Sequence, residues 1–166
     1  FYVPAGTRVA TRIQSVQASK VVSVGLDVWG GDPDSSLTTC NKITTYGSDT
    51  ATSRGAILAP NASANVKGSY VQLTAATTAP IHGAIVSIQG TTALFAGARD
   101  FTVDVATGAA ASEVVVIADV PTHVFSSDVF THVYAYLPVS LDIPVGSRIA
   151  ARVSSSSASS ESVAVA

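Results

Sequence analysis

Ser147-Arg148-Ile149-Ala150-Ala151-Arg152-Val153 alternates two sets of side chains, and almost the same words stand near the other end of the chain as Thr7-Arg8-Val9-Ala10-Thr11-Arg12-Ile13. In a β-strand successive side chains point to opposite faces, so Val9, Thr11 and Ile13 share one face while Arg8, Ala10 and Arg12 share the other. A helix would scatter both sets around its axis. The likeness extends over residues 3–19 and 143–159 at a constant offset of 140, with eight identities in 17 positions: Pro4/Pro144, Gly6/Gly146, Arg8/Arg148, Ala10/Ala150, Arg12/Arg152, Ser15/Ser155, Ala18/Ala158 and Ser19/Ser159. Val/Ile and Thr/Ser exchanges fill several of the rest. A period this long points to a whole domain repeated in tandem, the chain holding the closing strands of one copy and nearly all of the next.

The intervening sequence keeps the same character. Apolar residues alternate or run in short β-branched blocks between Gly, Pro and Asx turns, and no 3.6-residue stripe persists for three turns. Residues 21–29 form a hairpin with the first strand, and the turn cluster Gly30-Gly31-Asp32-Pro33-Asp34 closes it. Further strands are predicted at 42–46, 69–75, 84–89, 99–105, 113–120, 129–137, 147–153 and 161–166, with at most one short helical turn near 108–112. Turn signals such as His82-Gly83, Ala96-Gly97, Thr107-Gly108 and Asp119–Pro121 separate them. Eight or so short strands at this spacing predict an antiparallel β-sandwich, jelly-roll or immunoglobulin-like. The expected division is a closing hairpin of a preceding or neighbouring module at 1–31, a linker at 32–41 and one sandwich module at 42–166.

Composition narrows the partners. The chain has 166 residues, enough for one sizeable core with a flanking element. Charged residues make up 12%, about half the usual share, and net charge is −2 with nine Lys and Arg. That balance offers no basic footprint for nucleic acid and no polybasic membrane patch. The longest apolar runs, such as Val114-Val115-Val116-Ile117-Ala118, fall far short of the roughly 20 residues of a helical membrane span. Cys40 is the only cysteine, so an internal disulfide is excluded and the thiol assigns no redox compartment.

The order and spacing of several segments resemble a known class. Thr45-Tyr46-Gly47-Ser48-Asp49-Thr50-Ala51-Thr52-Ser53-Arg54-Gly55, Asn65-Val66-Lys67-Gly68-Ser69-Tyr70-Val71-Gln72-Leu73-Thr74-Ala75, Val103-Asp104-Val105-Ala106-Thr107-Gly108-Ala109-Ala110-Ala111-Ser112-Glu113, Leu137-Pro138 and 143–152 together are similar to the repeat unit of tandem β-sandwich virion proteins of tailed bacteriophages. The likeness covers most of 42–166, and residues 3–30 resemble the closing hairpin of the preceding unit. It implies a structural component of the virion, in fibre, tail or capsid surface, associating with itself and with other virion proteins. Three-fold symmetry is the state it favours. It supplies no catalytic residue and no cofactor.

The chemistry-bearing residues agree with a non-enzymatic reading. His82, His123 and His132 are far apart in sequence, with no Cys, Asp or Glu at ligand spacing. Asp27, Asp32 and Asp34 lack calcium-loop geometry because Pro33 interrupts them. No Gly-x-Ser-x-Gly elbow or phosphate loop is present. Asp100 and Asp104 share the face of a strand opposite Phe101, Val103 and Val105 and read as solvated outer-face charges. Asn61-Ala62-Ser63 is a formal glycosylation triplet that marks an exposed loop.

Two sets of residues remain as candidates. Arg8, Arg12, Arg148 and Arg152 repeat in the same frame although arginine is scarce elsewhere, and are predicted to clamp a carboxylate or carbonyls at a subunit or module interface, with Asp104 and Glu113 as the acids to test. Trp29, Tyr46, Phe95 and Phe125 lie near turns and would stack on sugar rings if the module instead recognised a carbohydrate or receptor. The first set belongs to the structural reading, the second to its alternative.

Overall fold

The computed structural model describes residues 6–8, 10, 44–48, 55–90, 99–124, 133–137, 141–158 and 161–166. Its strands are β1 (Ala56–Leu58), β2 (Val71–Thr74), β3 (Ala84–Gly90), β4 (Arg99–Thr107), β5 (Val114–Val124), β6 (Val133–Leu137), β7 (Ile149–Ser155) and β8 (Val163–Val165). All lie in one compact unit, Thr45–Asp49 with Ser53–Ala166, while residues 6–8, 10 and 44 belong to a second. Most of 1–31 and all of 32–41 lie outside the described residues, and with them the expected hairpin, the linker and Cys40.

Two open antiparallel sheets form a β-sandwich, ordered β1-β8-β3-β6 and β2-β7-β4-β5. The order has a simple origin. Strands pair as β1 with β8, β2 with β7, β3 with β6 and β4 with β5, as in one long hairpin folded at the β4–β5 turn. Successive pairs fall alternately into the two sheets, which β8–β3 and β7–β4 pairing then completes. This is the jelly-roll order, and it excludes the immunoglobulin alternative, whose strands distribute otherwise.

Alternation decides which face each strand buries. Phe101, Val103 and Val105 of β4 stand opposite Ser155, Val153 and Ala151 of β7. They meet Leu58, Val86, Ile88, Val163 and Val165 from the other sheet in one apolar cluster. Each large side chain buried there stabilises the fold by about 1.5–3 kcal/mol relative to exposure. Leu141 and Ile143 enter the same cluster, and Ile143 bridges Ile81 across the end of the sandwich.

Three sequence expectations need correction. Residues 44–46 lie in no strand, and the first strand among the described residues is instead Ala56–Leu58. Strand β5 does not stop at Asp119–Pro121 but runs on to Val124. Asp119 is absorbed by a bulge, in a left-handed conformation at φ 51, and Pro121 pairs with Thr102 on an edge strand, where a missing N–H can face away from the ladder. Thirdly, Asp104 is not a solvated charge: it is only 3% exposed.

Candidate functional site

Charge is divided unequally between the sheets. Strands β1, β3, β6 and β8 contain no Asp, Glu, Lys, Arg or His, whereas β4, β5 and β7 carry Arg99, Asp100, Asp104, Asp119, His123 and Arg152. The outer face of the second sheet therefore holds the polar chemistry of the module, and Asp104 lies at its centre.

The bulge in β5 creates the need for a carboxylate there. Pairing of β4 with β5 skips between Val103/Val120 and Val105/Ile117, leaving Asp119 out of the ladder. Asp104 Oδ1 accepts the Asp119 N–H at 3.0 Å, replacing the lost ladder bond. The same oxygen accepts from Lys67 Nζ at 2.8 Å, and Oδ2 accepts from Arg152 Nε at 2.9 Å. Lys67 also donates to Thr102 O and Oγ1, and pairs with Asp119 Oδ1 at 2.8 Å. Burial by itself would raise the pKa of Asp104. Hydrogen bonds from Lys67, the Asp119 amide and Arg152, with the positive charge of Lys67, outweigh burial and hold the carboxyl below its ordinary range.

Lys67 reaches this point from a neighbouring segment. Asn65 N donates to Ser155 O and Gly68 N to Val153 O, so 65–68 runs alongside β7 and the lysine stem crosses β7 to β4. Two cations and two carboxylates thus meet over three strands, with no net charge. Arg152 also stacks over Tyr70, its guanidinium carbon 4.6 Å from the ring centroid.

A second clamp sits nearer the β4–β5 turn. Arg148 donates from Nε to Gln72 Oε1 at 3.0 Å and from Nη1 to both Gly108 O at 3.1 Å and Glu113 Oε1 at 3.0 Å. It joins β2, the turn and the start of β5 in one contact. Elsewhere Arg99 pairs with Glu161, and His123 Nδ1 lies 2.6 Å from Asp100 Oδ1 at an exposed edge.

The structure therefore brings Arg148 to Glu113 and Arg152 to Asp104, with all four residues in the same module. Arg8 is exposed, and Arg12 lies outside the described residues. The repeat does have a local counterpart in conformation: Gly6 and Gly146 both adopt left-handed backbone, at φ +79 and +82, conformations that glycine reaches without strain. Sequence reasoning missed Lys67, Asp119, Tyr70 and Gln72. Asp119 stood inside a turn signal and Lys67 just before a predicted strand, and their side chains meet across 52 positions of sequence.

Of the four candidate aromatics only Tyr46 is described. Its ring packs against the apolar cluster and its hydroxyl accepts from Thr78 N at 3.4 Å. It borders a shallow open depression of about 390 Å³ with Gln72 and Leu73. Trp29, Phe95 and Phe125 lie outside the described residues. Asn61 is exposed, with Oδ1 accepting from Ser63 N in a local turn. Among the described residues no group of three or more His, Cys, Asp and Glu is placed to hold a metal ion. Comparison with protein-family models, curated proteins and solved structures finds no match to the chain.

The chemistry of the face is that of a cross-link. Both oxygens of Asp104 are occupied and each cation of the cluster is matched by a carboxylate. Arg152→Lys keeps the charge but loses the Nε donor and the planar stack on Tyr70. Arg152 is 31% exposed, so solvent screens part of the loss. A decrease of about 1 kcal/mol in unfolding free energy is expected by urea titration. No change would make Arg152 a solvated strand charge.

Proposed function

We propose that this chain is a structural component of a tailed-bacteriophage virion, a jelly-roll module that works by self-association and docking rather than by catalysis. The observation that supports this best is the strand order, β1-β8-β3-β6 against β2-β7-β4-β5. Jelly rolls recur in viral capsid and lectin domains, and the argument is one of fold analogy joined to the sequence resemblance. The neutral surface and the 140-residue repeat fit a module stacked against others of its kind. A carbohydrate-binding module would need displayed aromatic rings, and the one candidate among the described residues, Tyr46, packs against the core.

The test is physical association with particles. Particles purified through a density gradient should carry the protein, and labelled antibody should place it on their surface by electron microscopy. Recovery only in the soluble fraction of a lysate, never with particles, would remove the reading.

A further inference from the structure

Strand β1 is held to its module by few contacts. It has three residues, Ala56–Leu58, and β8 is its only partner strand among the described residues. Ile57 at its middle is 62% exposed, so Leu58 is the one large side chain that it buries. The receiving strand is the reverse case. Val163, Ala164 and Val165 are all buried, and β8 lies between β1 and β3. Backbone groups of β8 that face β1 need a partner, because unpaired N–H and C=O groups away from water are costly. The place beside β8 must therefore be filled, but its chemistry does not require a strand from the same chain.

What that place accepts is narrow. Gly47 and Gly55, both in left-handed backbone, lead into β1 and pack on the carbonyl of Val165. A Cβ at either position would lie 2.7 or 2.5 Å from Val165 O, closer than any side chain allows. A strand preceded by these two glycines fits, and that is the sequence of this chain, from whichever copy it comes.

The far side of β1 supplies a hinge. Asn65 N and Gly68 N bond to β7, and Lys67 reaches Thr102 and Asp104 of β4 and Asp119 of β5, so 65–68 is fixed to three strands of the second sheet. Between this anchor and β1 run residues 59–64, exposed apart from Pro60. The connection is short and crowded: Ala59 and Pro60 press their backbone against Gly68, and the proline ring fixes its own φ. Short, constrained hinges of this kind favour exchange of the element they carry between copies.

We propose that β1, with Gly47 and Gly55 that lead into it, is an exchangeable arm, and that β1 of one copy of this chain pairs with β8 of a second copy. The proposal rests on the self-association part of the functional reading above and names the strand that carries it. Closed and exchanged forms share the same β1–β8 contacts and differ only at the hinge, so concentration sets the balance between them. A short tether gives each arm an effective concentration on the order of millimolar at its own site. Dilute chains therefore stay closed, and copies held together in an assembly exchange. Reciprocal exchange makes a two-fold dimer, and arms passed in one direction around a ring close a three-fold assembly with the same contacts.

Disulfide trapping in the full chain is the test. With Cys40→Ser in place, Ile57→Cys and Ala164→Cys supply the only thiols, at positions that face each other in register. The variant is incubated in mild urea at about 1 mM and at about 1 µM, returned to buffer and oxidised. Dimers linked between chains are expected at the higher concentration and monomers with an intrachain disulfide at the lower. A cooperative melt checks that the variant folds. Because Ala164 is buried, a second measurement leaves it untouched: sedimentation of the parent after the same incubation, beside a chain with four Gly-Ser residues inserted between Asn61 and Ala62. The longer hinge lets each arm reach its own β8 and should lower the dimer population by about threefold or more. Dimers whose disulfides are all intrachain, or a dimer population that the insertion does not reduce, would overturn arm exchange and leave self-association by another surface standing. A parent that stays monomeric at both concentrations would overturn both.

Discussion

Gly68→Ala is expected to lower the unfolding free energy by about 2–4 kcal/mol, although it adds a single methyl group. A Cβ at this position would lie 2.0 Å from Ala59 O and 3.1 Å from Ala59 C. Both are backbone atoms, so no rotamer change can make room. The chain must then part locally, and what it would lose is specific. The Gly68 N–H bond to Val153 O is 2.8 Å long, and the bond from Asn65 N to Ser155 O is 2.7 Å. Those two bonds seat the segment that carries Lys67 across β7. Their loss, at about 1 kcal/mol each, adds to the steric cost. A melting temperature lower by about 5–15 °C is the expected readout. A shift of less than about 2 °C would mean that the 59–60 backbone yields without cost.

How much of this was legible depended on how local the physics is. Strands β4 and β7 could be read because alternation is a nearest-neighbour property and each buries one whole face: Phe101, Val103 and Val105 follow period two, as do Ile149, Ala151 and Val153. β1 could not, since three residues with Ile57 62% exposed make no pattern. The end of β5 was hidden for a different reason. Asp119 and Pro121 do end strands when both sides of a strand are paired, and whether a strand will be an edge is settled by tertiary topology. The burial of Asp104 was hidden for the same reason. Its position beside Phe101, Val103 and Val105 marks it as outward, but outward means solvated only if nothing crosses the sheet. Here Lys67 crosses it, from 37 positions away in sequence. The acids Asp104 and Glu113 could be named because arginine is scarce and recurs in frame, which narrows the choice of partners without fixing which arginine meets which acid.

Asp104→Ala is the other large effect expected, and its size changes with pH in a way that identifies the cause. Removing the carboxylate leaves Lys67 and Arg152 without their shared acceptor and strands the Asp119 N–H in the bulge. Breaking a buried ion pair from one side costs about 3–5 kcal/mol. Arg152 is 31% exposed and Asp119 remains to face Lys67, so about 3 kcal/mol at neutral pH is the discounted expectation. The carboxyl pKa is lowered in the folded state, so its contribution is complete above the unfolded value of about 3.9 and is lost as pH falls through the lower folded value. The parent should therefore lose stability across that acid window faster than Asp104→Ala or Asp104→Asn, and the gap between parent and variant should narrow there. Asp104→Asn should cost less than alanine at neutral pH, because its amide oxygen can still accept the Asp119 N–H. Urea titrations of the three proteins from neutral pH down to about pH 3 supply the comparison. A gap that stays constant over that range would show that packing around Asp104, and not its ionised carboxylate, holds Lys67 and the β5 bulge against the sheet.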